Sequence, residues 1–249
     1  MDKDLARRVF SCIDNTTLNA TDNDASVEAF CRRTLEMRLA DGTTVAAVCV
    51  YPRFVAVAKH VLDGSAIKVA SVAGAFHHGQ LPLDLRVAEV RRVVDDGADE
   101  VDIVINRGLL LAGDYDEVSR EVVQMKDACN GRTLKVILET GELSPLLIRR
   151  AAQRAIDAGA DFIKTSTGKI SVGATPESAE MMLNVVKENV KFNKKRVGFK
   201  AAGGIRTPDE ALLYAELAKK IIGENYINNQ TFRIGASRLT ESLYSLLTF

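Results

Sequence analysis

Eight short strand-like runs alternate with longer amphipathic stretches from one end of the chain to the other. That rhythm limits the fold more than any other feature. The runs are "FSCID" (10–14), "VAAVCV" (45–50), "IKVASV" (67–72), "VDIVIN" (101–106), "LKVILET" (134–140), "FIK" (162–164), "VGFK" (197–200) and "FRIG" (232–235). Between them lie helical patterns such as "SVEAFCRRTLEMRLADG", "DLRVAEVRRVVDDG" and "PLLIRRAAQRAIDAG", and "ASRLTESLYSLLTF" follows the eighth run. Strands that alternate with helices form a parallel sheet, since each helix carries the chain back to start the next strand in the same direction. Eight such units predict a closed (β/α)8 TIM barrel in preference to an open doubly wound sheet. Ser144-Pro145, Thr175-Pro176 and Thr207-Pro208 each set a helix-capping hydroxyl before a proline suited to the first helical turn. With no Gly/Ser-rich linker, residues 1–249 read as one α/β domain.

Charge excludes several functions. Lysine plus arginine and aspartate plus glutamate balance at 33 each, so no global field draws the chain to nucleic acid or a membrane surface. An anionic small molecule would need a local pocket. The four cysteines, Cys12, Cys31, Cys49 and Cys129, are widely spaced, which favours reduced thiols and a cytoplasmic protein over a disulfide framework. With His60, His77 and His78 they make no zinc-ligand spacing, so no metal is expected. The opening "MDKDLARRVF" has no apolar signal core, and no run reaches the ~18 apolar residues of a membrane span. The basic run "KENVKFNKKR" (187–196) reads as a solvated helix end. "KKIIGENYINNQT" (219–231) is long enough for an extra helical turn outside the barrel.

In a barrel of this kind the chemistry sits where the strands end. Asp14, Asn106, Glu139, Lys164 and Lys200 occupy such ends here, and period-2 alternation sets Asp102 on the same strand face as Asn106. Any one of them can be a satisfied core polar group. Two lysines ending neighbouring strands, with an aspartate across the lumen, are harder to read that way, because lysine is almost never buried unless paired or employed. A free lysine near pKa ~10.4 offers roughly one neutral amine in 2,500 at pH 7. Burial and a nearby cation both lower that value, and a shift to around 7 makes about half the molecules nucleophilic. Such an amine suits attack on a carbonyl to form a Schiff base, with Asp102 serving proton transfer. An anion site is indicated separately by "TSTGK" (165–169), "AGGIRTP" (202–208) and "IGAS" (234–237), all following late strands.

The motifs "IDNTTLN", "VCVYPRF", "EVDIVIN", "KVILETGEL", "DFIKTSTGK", "GFKAAGGIRT" and "RIGAS" run in order over nearly the whole chain. In them the sequence resembles the deoxyribose-phosphate aldolases, class I enzymes that split 2-deoxy-D-ribose 5-phosphate into D-glyceraldehyde 3-phosphate and acetaldehyde. The resemblance implies a Schiff-base lysine at Lys164, a second lysine tuning it at Lys200, and a proton-transfer aspartate at Asp102. It implies that Asp14 holds the lysine network and the substrate, that Cys49 lines the pocket, and that Thr167 and Lys169 contact the substrate. Gly168, Lys169, Gly203, Gly204, Gly235 and Ser237 would bind the phosphate. Arg238 stands where many members have a second serine, which would bring a guanidinium to the phosphate.

Other departures are Asn15, where many members have histidine, and an end at Phe249 without the longer tyrosine-ended tail of some members. The resemblance further implies no cofactor beyond the covalent lysine, a sugar-phosphate substrate, a place in deoxyribonucleotide breakdown, and dimers or tetramers in many members. Two other readings stand beside a deoxysugar-phosphate lyase. One is a Schiff-base aldolase for a longer ketose phosphate. The other is a non-catalytic barrel that binds a sugar phosphate.

Overall fold

A computed structural model describes residues 2–193 and 196–248. Eight parallel strands close on themselves in sequence order: β1 (Ile13–Thr16), β2 (Ala47–Val50), β3 (Lys68–Ala73), β4 (Glu100–Val104), β5 (Thr133–Ile137), β6 (Phe162–Lys164), β7 (Gly198–Ala202) and β8 (Phe232–Ala236). β1 pairs with both β2 and β8, so no strand edge is left open. The (β/α)8 barrel expected from the alternation is the fold. No helix among the described residues is long and apolar enough to cross a membrane.

Strand alternation splits the barrel into two environments. Residues such as Val69, Val101, Ile103, Val136, Ile163, Phe199 and Phe232 are fully buried in the apolar core shared with the surrounding helices. Each is worth about 1.5–3 kcal/mol of burial. The alternate residues fill the lumen, and many of those are charged. Helices begin where their caps dictate. Ser144 Oγ accepts from Leu147 N ahead of the helix Pro145–Asp157, and Thr207 and Glu210 form a capping box on the helix Pro208–Ile221. The expected extra turn between residues 219 and 231 is a 3-10 turn, Glu224–Tyr226, whose Tyr226 hydroxyl donates to Val197 O at 3.0 Å.

Three boundaries differ from the sequence reading, each for a local reason. Phe10 ends a helix, Lys3–Phe10, because it completes an apolar stripe with Leu5, Ala6 and Val9; the first strand therefore starts only at Ile13. Asn106 lies beyond β4 and caps the helix Arg107–Ala112, accepting from Leu109 N at 3.2 Å, so it is a structural cap and not a lumenal strand end. β5 ends at Ile137, and Glu139 takes a left-handed backbone (φ 58°) that turns the chain over the barrel mouth. In the basic run 187–196, Lys194 and Lys195 lie outside the described residues, as does Phe249.

Candidate active site

Seven charged side chains come together inside the barrel: Asp14, Glu100, Asp102, Lys135, Lys164, Lys200 and Arg233, all nearly or completely buried. They come from β1, β4, β5, β6, β7 and β8. Asp102 sits between three ammonium groups. Its Oδ2 accepts from Lys164 Nζ at 2.8 Å and from Lys200 Nζ at 2.7 Å, while its Oδ1 accepts from Lys135 Nζ at 2.7 Å. Lys200 also bonds Asp14. Lys135 reaches Glu100 at 2.7 Å and Asp14 at 3.3 Å. Lys164 touches one carboxylate, Lys200 two and Lys135 three.

That unequal sharing decides the ionisation. Burial penalises every ammonium here. For Lys135 the surrounding carboxylates overcome the penalty and hold its pKa well above the ordinary lysine value; for Lys200, Asp102 and Asp14 do the same. At Lys164 burial wins: Asp102 opposes it, the Lys200 charge reinforces it, and the pKa falls below that of a free lysine. Burial also works against the Asp102 and Asp14 anions, but Lys135, Lys200 and the other cations hold both well below the usual carboxylate range. The site thus contains a carboxylate that stays ionised beside an amine that sheds its proton early.

Above this network lies a cavity of about 300 Å³, with Lys164 in its wall. Thr167, Gly168 and Lys169 line it from the loop after β6, Gly203 and Gly204 from the loop after β7, and Gly235 and Ser237 from the end of β8. The loops approach closely: a Cβ on Gly173 would lie 2.2 Å from the Gly203 carbonyl oxygen. Gly235 has a second role. A Cβ there would come within 3.0 Å of Lys200 Cε, so the missing side chain makes room for that lysine.

The chain matches the family described as DeoC/LacD family aldolase over residues 8–236. It belongs to that family. It is 46% identical over 243 residues to a Caenorhabditis elegans protein provisionally named a deoxyribose-phosphate aldolase, covering 96% of this chain and 80% of the relative. Among solved structures, it resembles an aldolase called QR15 at 32% identity and TM-score 0.79, over 96% of this chain and 95% of that one. It also resembles an Aeropyrum pernix deoxyribose phosphate aldolase, described as tetrameric, at 27% identity and TM-score 0.77, over 99% and 92% of the two chains.

In this aldolase the expected residues do not all gather in one place. Lys164, Lys200, Asp102 and Asp14 share the lumen; Thr167, Lys169 and the four glycines share the mouth. Thr167 is itself held, with its N and Oγ1 donating to Glu139 at 3.1 and 2.5 Å, and Glu139 accepts from Arg107 at 3.2 Å. Cys49 faces the lumen from β2, in a small cluster with Leu18, Ala47, Ala70 and Val72 and near enough to Asp102, Lys200 and Lys164 to feel their charges, and burial pushes its thiol up to about 11. Arg238 is exposed and is not among the residues lining the mouth cavity. Asn15 faces away from the lumen, bonding Thr34 and Thr240 at 2.9 Å each beneath the helices.

Sequence reasoning missed Glu100, Lys135 and Arg233 in the lumen and Arg206 at the mouth. A signal existed for each. Glu100 shares the alternation of Asp102 in "EVDIVIN", Lys135 and Arg233 are single charges in otherwise apolar strands, and Arg206 stands inside "AGGIRTP".

Proposed function

We propose that this family member reversibly cleaves 2-deoxy-D-ribose 5-phosphate to D-glyceraldehyde 3-phosphate and acetaldehyde through an imine on Lys164. The observation that carries the reading is the arrangement of three lysines around Asp102, in which the lysine facing the mouth cavity is the one least matched by anions. The neutral Lys164 amine attacks C1 of the open-chain sugar, and loss of water gives an iminium. The iminium withdraws electrons from the C2–C3 bond. Removal of the C3 hydroxyl proton breaks that bond, leaving an enamine on Lys164 and releasing the aldehyde phosphate. Protonation at C2 and hydrolysis then free acetaldehyde and regenerate the amine. Asp102, ionised and 2.8 Å from Lys164 Nζ, is the group suited to relay these protons, a role typically worth ~10²–10⁴-fold.

For the phosphate, the reading uses the amides around Gly203 and Gly204 together with Ser237, just before the helix Leu239–Thr248, whose N-terminus favours an anion. Lys169 and Arg206 add positive charge to the same mouth. The lysine supplies the electron sink, so the reaction as written needs no metal or organic cofactor. A cytoplasmic site of action belongs to the same reading; it is supported by four free, buried cysteines.

The test is mass spectrometry after acetaldehyde and borohydride, paired with an aldehyde-release assay on deoxyribose 5-phosphate. A stable adduct on Lys164 and rapid release of acetaldehyde are expected. An adduct on Lys200 instead would overturn the assignment of the nucleophile. Faster cleavage of a ketose phosphate would overturn the assignment of the substrate.

A further inference from the structure

The imine chemistry employs Lys164, Asp102 and Lys200 but leaves the lower lumen unexplained. Arg233 lies at the level where β8 enters the barrel. Its Nη1 donates to Asp14 at 2.5 Å and to Glu100 at 3.1 Å, and its Nη2 donates to Glu100 at 2.6 Å. Glu100 in turn holds Lys135 at 2.7 Å. A cavity of about 230 Å³ below this pair is lined by Glu100, Arg233, Lys68 and Arg196. Barrel interiors are ordinarily filled by branched aliphatic side chains, and a buried ion pair is seldom more stabilising than apolar groups of the same volume. Stability alone therefore gives little reason for these charges.

A count of charge gives a better one. With every group ionised the fully buried charges of the lumen are four cations (Lys135, Lys164, Lys200 and Arg233) against three carboxylates (Asp14, Glu100 and Asp102), while the half-exposed Lys68, 3.2 Å from Glu100 at the bottom of the barrel, is screened by solvent. The excess of one positive charge sits in a space that screens poorly. Losing a single proton removes it. Arg233 cannot give up a proton, since guanidinium stays charged in proteins. Lys135 and Lys200 are held by three and two carboxylates, and Lys164 by one. The proton therefore leaves from Lys164.

We propose that Arg233 and Glu100 are positioning residues that set the charge balance of the lumen: the guanidinium supplies the fourth buried cation, and that excess favours loss of the proton from the Lys164 amine. The inference rests on Lys164 being the imine-forming residue. The groups around it are Asp14 on β1, Cys49 on β2, Asp102 on β4, Lys135 on β5, Lys200 on β7 and Arg233 on β8; on β3 the inward Ala70 and Val72 carry no charge, and Lys68, half-exposed below them, reaches Glu100 at 3.2 Å. Arg233 acts through the carboxylates, occupying oxygens of Asp14 and Glu100 that would otherwise be free to hold the lysines.

The test is the pH dependence of imine formation, read as the rate of borohydride-trapped acetaldehyde adduct. Arg233→Met leaves three cations against three carboxylates, so the acid limb should move up by about one pH unit, a roughly tenfold slower reaction on that limb. Glu100→Gln leaves four against two and should move it down by a similar amount. The double variant should return it close to the wild-type position. Arg233→Lys keeps the charge while losing the guanidinium fork, and should leave the limb in place even where Arg233→Met fails to fold. Single variants that shift the limb in the same direction, or slow trapping without shifting it, would overturn the proposal. A wild-type protein that forms no adduct would instead overturn the reading of Lys164.

Discussion

The floor and the mouth of this barrel hold the same kinds of charged residue and use them in opposite ways. On the floor, Arg233, Glu100 and Lys135 are completely or almost completely buried, and each finds at least two oppositely charged partners. At the mouth, Lys164 has a single carboxylate, shared with two other lysines, and opens onto a cavity of about 300 Å³. Matched charges hold strands together; the unmatched one is available for chemistry. On the proposed reading, reactivity at Lys164 comes from a deficit of partners, a property of the set and not of any one lysine.

The contrast can be broken most severely from the mouth. Lys164→Ala should lower cleavage by about four orders of magnitude or more while leaving the protein folded, checked by steady-state rates beside thermal unfolding. A residual rate within tenfold of wild type would remove the distinction altogether. From the floor the larger effect should be on stability. Lys135→Met strips a partner from Asp14, Glu100 and Asp102 at once and should cost about 3–5 kcal/mol in urea unfolding. Arg206→Ala, at the mouth, should leave the unfolding midpoint unchanged and raise KM for a phosphorylated substrate by roughly tenfold.

Gly235 lies where floor and mouth meet. Gly235→Ala puts a methyl group 3.0 Å from Lys200 Cε and should slow turnover by roughly tenfold, with about 1–3 kcal/mol lost to overpacking. The smallest effect is a slope. The Lys164 pKa is lowered on folding, so the unfolded chain binds more protons between that lowered value and ~10.4, and stability should rise with pH across this window. Lys135 and Lys200 have raised values. Their contribution is complete below ~10.4 and is lost only as pH climbs through the folded value. Lys164→Met should therefore flatten the urea midpoint measured from pH 7 to 10, and Lys200→Met, which removes a charge that helps lower the Lys164 pKa, should reduce the slope in part.

Much of this was legible before any coordinates. The alternation of strand and helix patterns names the barrel, and the cap-proline pairs mark helix starts at Pro145 and Pro208 where the structure has them. Lys164, Lys200 and Asp102 stood out because charges at the ends of apolar strands are rare. Asn106 misled, because a polar residue two positions past a strand looks the same in sequence whether it points into the lumen or caps the next helix. Arg238 was carried in by motif position alone, and it is exposed at the start of the last helix.

Period-2 and period-3.6 patterning is local, so the sequence by itself determined the (β/α)8 fold, the strand positions of Asp14, Asp102, Lys164 and Lys200 and the glycine-rich loops above them. Only the tertiary structure decided which lysine is short of partners. Electrostatic matching depends on contacts between strands far apart in the chain, such as Arg233 with Asp14 across 219 residues. Closing the barrel brings those groups within bonding distance in a poorly screened interior.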